Sequence, residues 1–219
     1  LRGISLAVQP GSLLAIIGPS ASGKSTLVRA MLGLVDASAG EVRLDDATLD
    51  QWDREALGAH IGYLPQDVEL LDGTIAENIA RFGELKDAKV IEAAVAADVQ
   101  SMILHLPQGY GTRVVGHVLS AGQRQRIGLA RALYGQPQWI VLDEPNANLD
   151  DAGEAALAAA LRELKRAGRT VVVVTHRKDI LALADSVVVL ARGQVALAGP
   201  SDQVMAQLQK AAAERQANG

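Results

Sequence analysis

Residues 18–26 read GPSASGKST, set between the apolar run LLAII at 13–17 and the amphipathic LVRAMLGL at 27–34. Gly18, four variable residues and then Gly23, Lys24 and Ser25 form the pattern of a phosphate-binding loop, placed after a strand and opening a helix as that loop requires. Glycines let successive backbone N–H groups converge on phosphate oxygens, and the helix start adds its positive end. The candidate contacts are therefore Gly18, Pro19, Ser20, Ala21, Ser22, Gly23, Lys24, Ser25 and Thr26. Lys24 would neutralise β- and γ-phosphates, and the Ser25 hydroxyl would hold Mg²⁺. The plainer alternative, a glycine-rich turn with no ligand, leaves Lys24 without a use.

The bulk composition narrows what surrounds this loop. The 219 residues are 49% hydrophobic, enough for a real core. A net charge of −4 argues against a polyanion held on a basic face, so nucleic acid is not an expected partner. The absence of cysteine excludes disulfides, thiolate metal sites and a cysteine nucleophile. No window approaches the roughly 18 apolar residues of a membrane-spanning helix. The chain opens on Leu1 within LRGISLAV, which alternates like a strand rather than a signal segment, and it reads as a piece of something longer.

Alternation and helical periodicity take turns along the chain. LRGISLAV and GSLLAIIG, separated by QP, predict a strand pair at the start. Further apolar strand patterns occur at EVRL, IGYLP, WIVLDEP, TVVVVTH and SVVVLARGQVALAG, with helical stretches such as DDAGEAALAAALRELKRAGR between several of them. That alternation predicts an α/β fold with a parallel, helix-covered sheet. From 67 to 135 the pattern turns helical, in GTIAENIARF, DAKVIEAAVAADVQSMILHL and AGQRQRIGLARALYG, and reads as an insertion. The tail DQVMAQLQKAAAERQANG reads as a last helix that frays.

WIVLDEP ends an apolar strand in two carboxylates. Strand alternation would aim them apart and suit them to separate work, Asp143 bound to Mg²⁺ through water and Glu144 as general base toward an attacking water. An acidic turn at a strand end is the alternative reading. His176 follows TVVVVT, at the strand end where ligand sites of open parallel sheets gather, yet the residues alone equally fit a surface histidine. Gln66 closes IGYLPQ in a similar place, where its amide could reach Mg²⁺ or the water.

With these residues in place, LSAGQRQRIGLARAL at 119–133 closely resembles the signature of ATP-binding cassette (ABC) transporter ATPases. GPSASGKST, IGYLPQ, the signature, VLDEP, NANLD and VTH follow in the family's order. The resemblance implies a phosphate-loop NTPase sheet core with an antiparallel β edge and a helical subdomain, in one domain: core at 1–66 and 136–219, helical part at 67–135. It implies ATP and Mg²⁺ as ligands. Ser120, Ala121, Gly122 and Gln123 would meet the γ-phosphate of ATP held by a second copy, in a head-to-tail homodimer, with Asp150 at the seam. Gln66 would contact Mg²⁺ and water, and His176 would sense the γ-phosphate.

LLDGTIAENIARFGE is similar to exporter cassettes, and the longer match at 52–82 resembles bacterial type I protein secretion ATPases. That resemblance implies a fused transmembrane domain before Leu1, a periplasmic adaptor, an outer-membrane channel, and a place on the cytoplasmic face of the bacterial inner membrane. An exporter of lipid, drug or peptide is the alternative within the family. A soluble cassette acting on DNA or ribosomes would be expected to bring basic patches, coiled coils or a second cassette. A small-molecule kinase would need an acceptor pocket in place of Glu144 and the signature. Arg124, Arg126 and Arg131 spread over different helix faces and read as solvated or near phosphate. The sequence departs from the family in Ala121, where glycine is usual, and in GTRVVGHVLSAG, a shortened loop without the exporters' glutamate. The adenine-stacking aromatic normally precedes the first residue here.

Overall fold

The computed structural model describes residues 1–114 and 119–217. Residues 115–118, in the shortened loop without glutamate, and 218–219, at the end of the tail, lie outside the described residues. In chain order the elements are β1 (Leu13–Ile17), α1 (Lys24–Met31), β2 (Arg43–Leu44), β3 (Ala47–Thr48), α2 (Arg54–His60), β4 (Ile61–Leu64), α3 (Ile75–Ile79), α4 (Asp87–Ala96) and α5 (Gln100–Leu104). They continue with α6 (Ala121–Leu133), β5 (Trp139–Asp143), α7 (Asp151–Arg166), β6 (Thr170–Val174), α8 (Lys178–Leu181), β7 (Ser186–Ala191), β8 (Gln194–Pro200) and α9 (Ser201–Ala217).

The apolar runs LLAII, WIVL and TVVVV are strands because β-branched and aliphatic side chains covered on both faces suit the middle of a parallel sheet. The sheet order is β4-β5-β6-β1-β7-β8, parallel throughout except for β8, which runs antiparallel to β7. Alternation divides the strands between two hydrophobic clusters. On one face Leu14, Ile16, Val141, Val172, Val174 and Val188 pack with Leu27 and Val28 of α1. On the other, Leu13, Ala15, Ile140, Leu142, Val171 and Val173 join one cluster with residues of α3, α4, α6 and α7. The expected mixed α/β fold with a largely parallel core and an antiparallel edge is thus observed.

The opening strand pair is not. Residues 1–8 form no strand, although Ile4, Leu6 and Val8 keep the alternation and pack half-buried on the α1 face of the sheet. Period-two burial arose from lying along a surface, without a ladder; Arg2 N–H donates to Gly193 O at 2.9 Å. The turn at QPG is present, with Ser12 N–H donating to Gln9 O at 3.1 Å. SVVVLARGQVALAG is a hairpin of two strands, since Arg192 (φ 50°) and Gly193 (φ 76°) both take the left-handed conformation of a tight two-residue turn. DAKVIEAAVAADVQSMILHL breaks into α4 and α5 at Asp98 (φ 50°), where Val99 N–H returns to Ala94 O at 2.9 Å.

The helical part reaches the sheet through β4 and α6. A Cβ on Gly62 of β4 would stand 2.2 Å from Ala132 O and 3.0 Å from Pro137 Cγ, so glycine is what lets α6 lie against the strand. Gly62→Ala is expected to destabilise the protein by about 1–3 kcal/mol, the usual cost of overpacking a seam that cannot move. Denaturant unfolding checks this, as a fall in midpoint at unchanged slope.

Candidate active site

β4, β5, β6 and β1 are adjacent and parallel, so their carboxyl ends share one edge, where ligands of open α/β sheets bind. Register puts Leu64 beside Leu142, Asp143 beside Val174, and Val174 beside Ile16. The segments that follow these strands carry Gln66, Glu144, His176 and the phosphate loop.

The loop leaves β1 at Gly18, whose φ is 152° and where a Cβ would lie 2.2 Å from Leu190 O. Ala21 (φ 59°) and Gly23 (φ 100°) are also left-handed, and Gly23 caps α1 without any side-chain hydrogen bond. The first turn of α1 holds no acidic residue, which leaves its N–H groups and positive end for an anion. Lys24 Nζ donates to Gly18 O and Pro19 O, both at 3.0 Å. The buried Ser22 Oγ has no hydrogen-bond partner among the described residues.

Asp143 is 1% exposed, and its Oδ1 has no partner among the described residues. Burial pushes its carboxyl above the ordinary aspartate range and the Glu144 charge adds to this, while the Ser25 hydroxyl, Arg29 and Lys24 pull it back. Glu144 lies past the strand end in a left-handed conformation (φ 49°), its N–H donating to Val174 O at 3.0 Å. The two carboxylates part because of that turn rather than by strand alternation. Gln66 Nε2 approaches Glu144 Oε2 at 3.5 Å, joining positions 78 apart in sequence. His176 is exposed between two anchored neighbours: Thr175 Oγ1 donates to Asn146 Oδ1 at 3.2 Å, and Arg177 pairs with Glu154.

A second cluster forms around the start of α6. Ser120 is its N-cap, with Ser120 Oγ accepting from Gln123 N–H at 3.2 Å and Gln123 Oε1 from Ser120 N–H at 2.8 Å. Ala121 is the first helical residue and its φ is not positive, so its methyl fits where the family has glycine. A Cβ on Gly122 would meet Asn148 O at 2.7 Å, and the buried Gln125 donates to Pro145 O at 3.2 Å. Asp150 caps α7, accepting from Gly153 N–H at 2.9 Å. Among the described residues no hydrogen bond joins Ser120, Ala121, Gly122 or Gln123 to the phosphate loop. The Ser120 turn is a second candidate half-site in addition to the phosphate loop.

Sequence reading missed Arg29 beside Asp143, the Thr175–Asn146 bond and Gln125. Only Gln125 left a trace, as a polar residue on the buried face of an otherwise apolar helical stripe. The arginines of α6 are not simply solvated, since Arg124 donates to Leu119 O at 2.6 Å and Arg131 to Glu69 O at 2.9 Å.

Comparison with known proteins agrees with this geometry. Residues 1–147 match the family model described as ABC transporter. The chain is 52% identical over 208 residues to the type I secretion system ATP-binding protein PrsD of Rhizobium meliloti (strain 1021), covering 94% of this chain and 36% of that protein. It is 38% identical over 210 residues to a fatty acid ABC transporter ATP-binding/permease protein of Mycobacterium bovis, covering 94% and 33%. It superposes on a bacterial Atm1-family ABC exporter with ATP bound at a TM-score of 0.86 and 33% identity, covering 94% of this chain and 36% of that one. The chain therefore spans about a third of the length of these relatives.

Because its folded pKa is raised, ionised Asp143 costs stability above that pKa, and the cost disappears below the unfolded value near 3.8. Asp143→Asn is expected to raise Tm near pH 7 by roughly 2–4 °C per kcal/mol relieved, with the gain shrinking to nothing toward pH 4. Thermal scans without nucleotide across that range check it.

Proposed function

Because this chain belongs to the ABC transporter family, we propose that it is the ATP-hydrolysing domain of an exporter whose cargo is protein, of the type I secretion kind. The observation that carries this reading is the meeting of Gln66 with Glu144 beside a buried Asp143 oxygen that has no partner among the described residues, at the strand edge that also ends in the phosphate loop. Preference for protein cargo rests on 52% identity to the secretion protein against 38% to the fatty acid transporter.

Residues 18–26 take the triphosphate of ATP, with Lys24 turning from the Gly18 and Pro19 carbonyls to the β- and γ-phosphates. Among the described residues no three His, Asp or Glu side chains gather into a metal cluster. Ser25, Asp143 and Gln66 are the residues that would hold Mg²⁺, Asp143 through water. Hard oxygen donors suit that ion, and the free Asp143 Oδ1 gains a partner for a charge that burial penalises. When bound, Mg²⁺ neutralises charge on the phosphate oxygens. Glu144 takes a proton from water as the water oxygen attacks the γ-phosphorus and the bond to the bridging oxygen of ADP breaks. Gln66 orients that water, and His176 donates to the γ-phosphate.

The second half-site is used by a partner copy: Ser120, Ala121, Gly122 and Gln123 of one chain close over the γ-phosphate on the other, with Asp150 at the seam. Membership of the ABC transporter family supports this head-to-tail pair. The core at 1–66 and 136–219 binds nucleotide, and the part at 67–135 brings the signature to it. No helix among the described residues is long and apolar enough to cross a membrane. The remainder of the protein supplies the transmembrane domain, and the whole sits at the cytoplasmic face of the inner membrane with a periplasmic adaptor and an outer-membrane channel.

Glu144→Gln is expected to lower ATP turnover by about 10²–10⁴-fold while retaining ATP and accumulating a nucleotide-bound dimer; parental turnover would refute the general-base role. Lys24→Ala is expected to weaken ATP binding about 10- to 100-fold, the worth of one charged hydrogen-bonding group. Titration with labelled ATP measures it, and unchanged affinity would refute the loop assignment.

A further inference from the structure

The chain just past α3 is strained at two successive residues. Arg81 (φ 57°) and Phe82 (φ 57°) are both left-handed although Gly83 follows, the residue that would have taken this conformation freely. Strain of this kind persists only where the surroundings over-determine it. They do so through the Arg81 guanidinium, which no carboxylate among the described residues pairs with. Its Nε donates to Arg131 O at 3.0 Å, one terminal nitrogen to Gly58 O and Ile61 O, both at 2.9 Å, and the other to Ala132 O at 3.1 Å and Tyr134 O at 3.4 Å. Three of these carbonyls end α6, where a cation also answers the helix dipole; the other two flank the junction of α2 and β4.

Two neighbouring contacts fasten the same seam. Gly62 meets Ala132 O closely enough to exclude any side chain, and Arg131 donates to Glu69 O, three residues beyond Gln66. The strand leading to Gln66 is therefore tied at its start by Arg81 and beyond its end by Arg131, both times to the helix whose first turn carries Ser120. Arg81 and Arg131 also line a cavity of about 470 Å³ with Leu34, Leu57 and Tyr63, so this seam faces open space.

We propose that Arg81 is a positioning residue for ATP hydrolysis, which locks α6 to β4 so that Gln66 and the Ser120 turn move as one body when two copies close over nucleotide. This rests on the hydrolytic reading above. Arg81 touches neither nucleotide nor the reacting atoms. Its work depends on a planar fork spanning five carbonyls, which an ammonium with three donors on one nitrogen cannot reproduce.

The test compares the parent full-length protein with Arg81→Lys and Arg81→Gln, measuring kcat and KM for MgATP, ATP affinity and Tm. The expected result is a kcat lowered about tenfold or more in both variants, with KM and ATP affinity within about twofold of the parent. Full kcat in Arg81→Lys would overturn the proposal, because charge alone would then suffice. Should ATP affinity and Tm fall together with kcat, the role is structural only and the proposal is again overturned. A parent protein that binds ATP without turning it over would refute the hydrolytic reading itself, and with it this proposal.

Discussion

Parallel register across β4, β5, β6 and β1 is the constraint on which the chemistry of this chain depends. Strands running the same way end at the same edge, so the groups following them converge however far apart they stand in sequence. Both faces of the sheet are covered, and the last residue of β5 is therefore taken out of water with the rest of its strand. Placing a carboxylate there raises its pKa and leaves one oxygen without a partner among the described residues. Lys24 and Ser25 stand close enough to Asp143 that the lysine charge and the serine hydroxyl both pull its raised pKa back down.

The helical part acts on this edge through α6. With 13 residues the helix is roughly 20 Å long, and backbone contacts secure it at both ends. At its start Gly122 lies against Asn148 and Gln125 holds the Pro145 carbonyl, on the segment that follows Glu144. At its end Ala132 lies against Gly62, and Arg81 gathers the terminal carbonyls. Contacts to backbone are hard to displace by side-chain repacking, so both ends of α6 are held closely to the elements beside them.

Departures from the sequence reading have a common cause. Residues 1–8 alternate, with Ile4, Leu6 and Val8 half-buried, yet they form no ladder, because periodicity reports burial and not pairing. The long helical pattern at 87–106 contains no strong breaker, and Asp98 interrupts it through a left-handed turn whose carbonyl partner is Ala94. Glu144 was expected to diverge from Asp143 by alternation, whereas a left-handed backbone just past the strand end is what redirects it. In each case local pattern was present and neighbouring geometry decided how it was used.

What the sequence by itself determined is what local chemistry encodes: the phosphate loop, the paired acids ending an apolar strand, and the alternation of strand and helix that makes a parallel sheet. These signals lie within a few residues of one another, so spacing alone reveals them. Only the tertiary structure decided that Gln66 meets Glu144, that Thr175 is held by Asn146, and that Arg81 finds its five carbonyls on separate elements. Those partners are backbone atoms or distant side chains whose proximity is set by strand order. A carbonyl carries no residue identity, which is why a cation bound by carbonyls alone leaves no mark in the sequence.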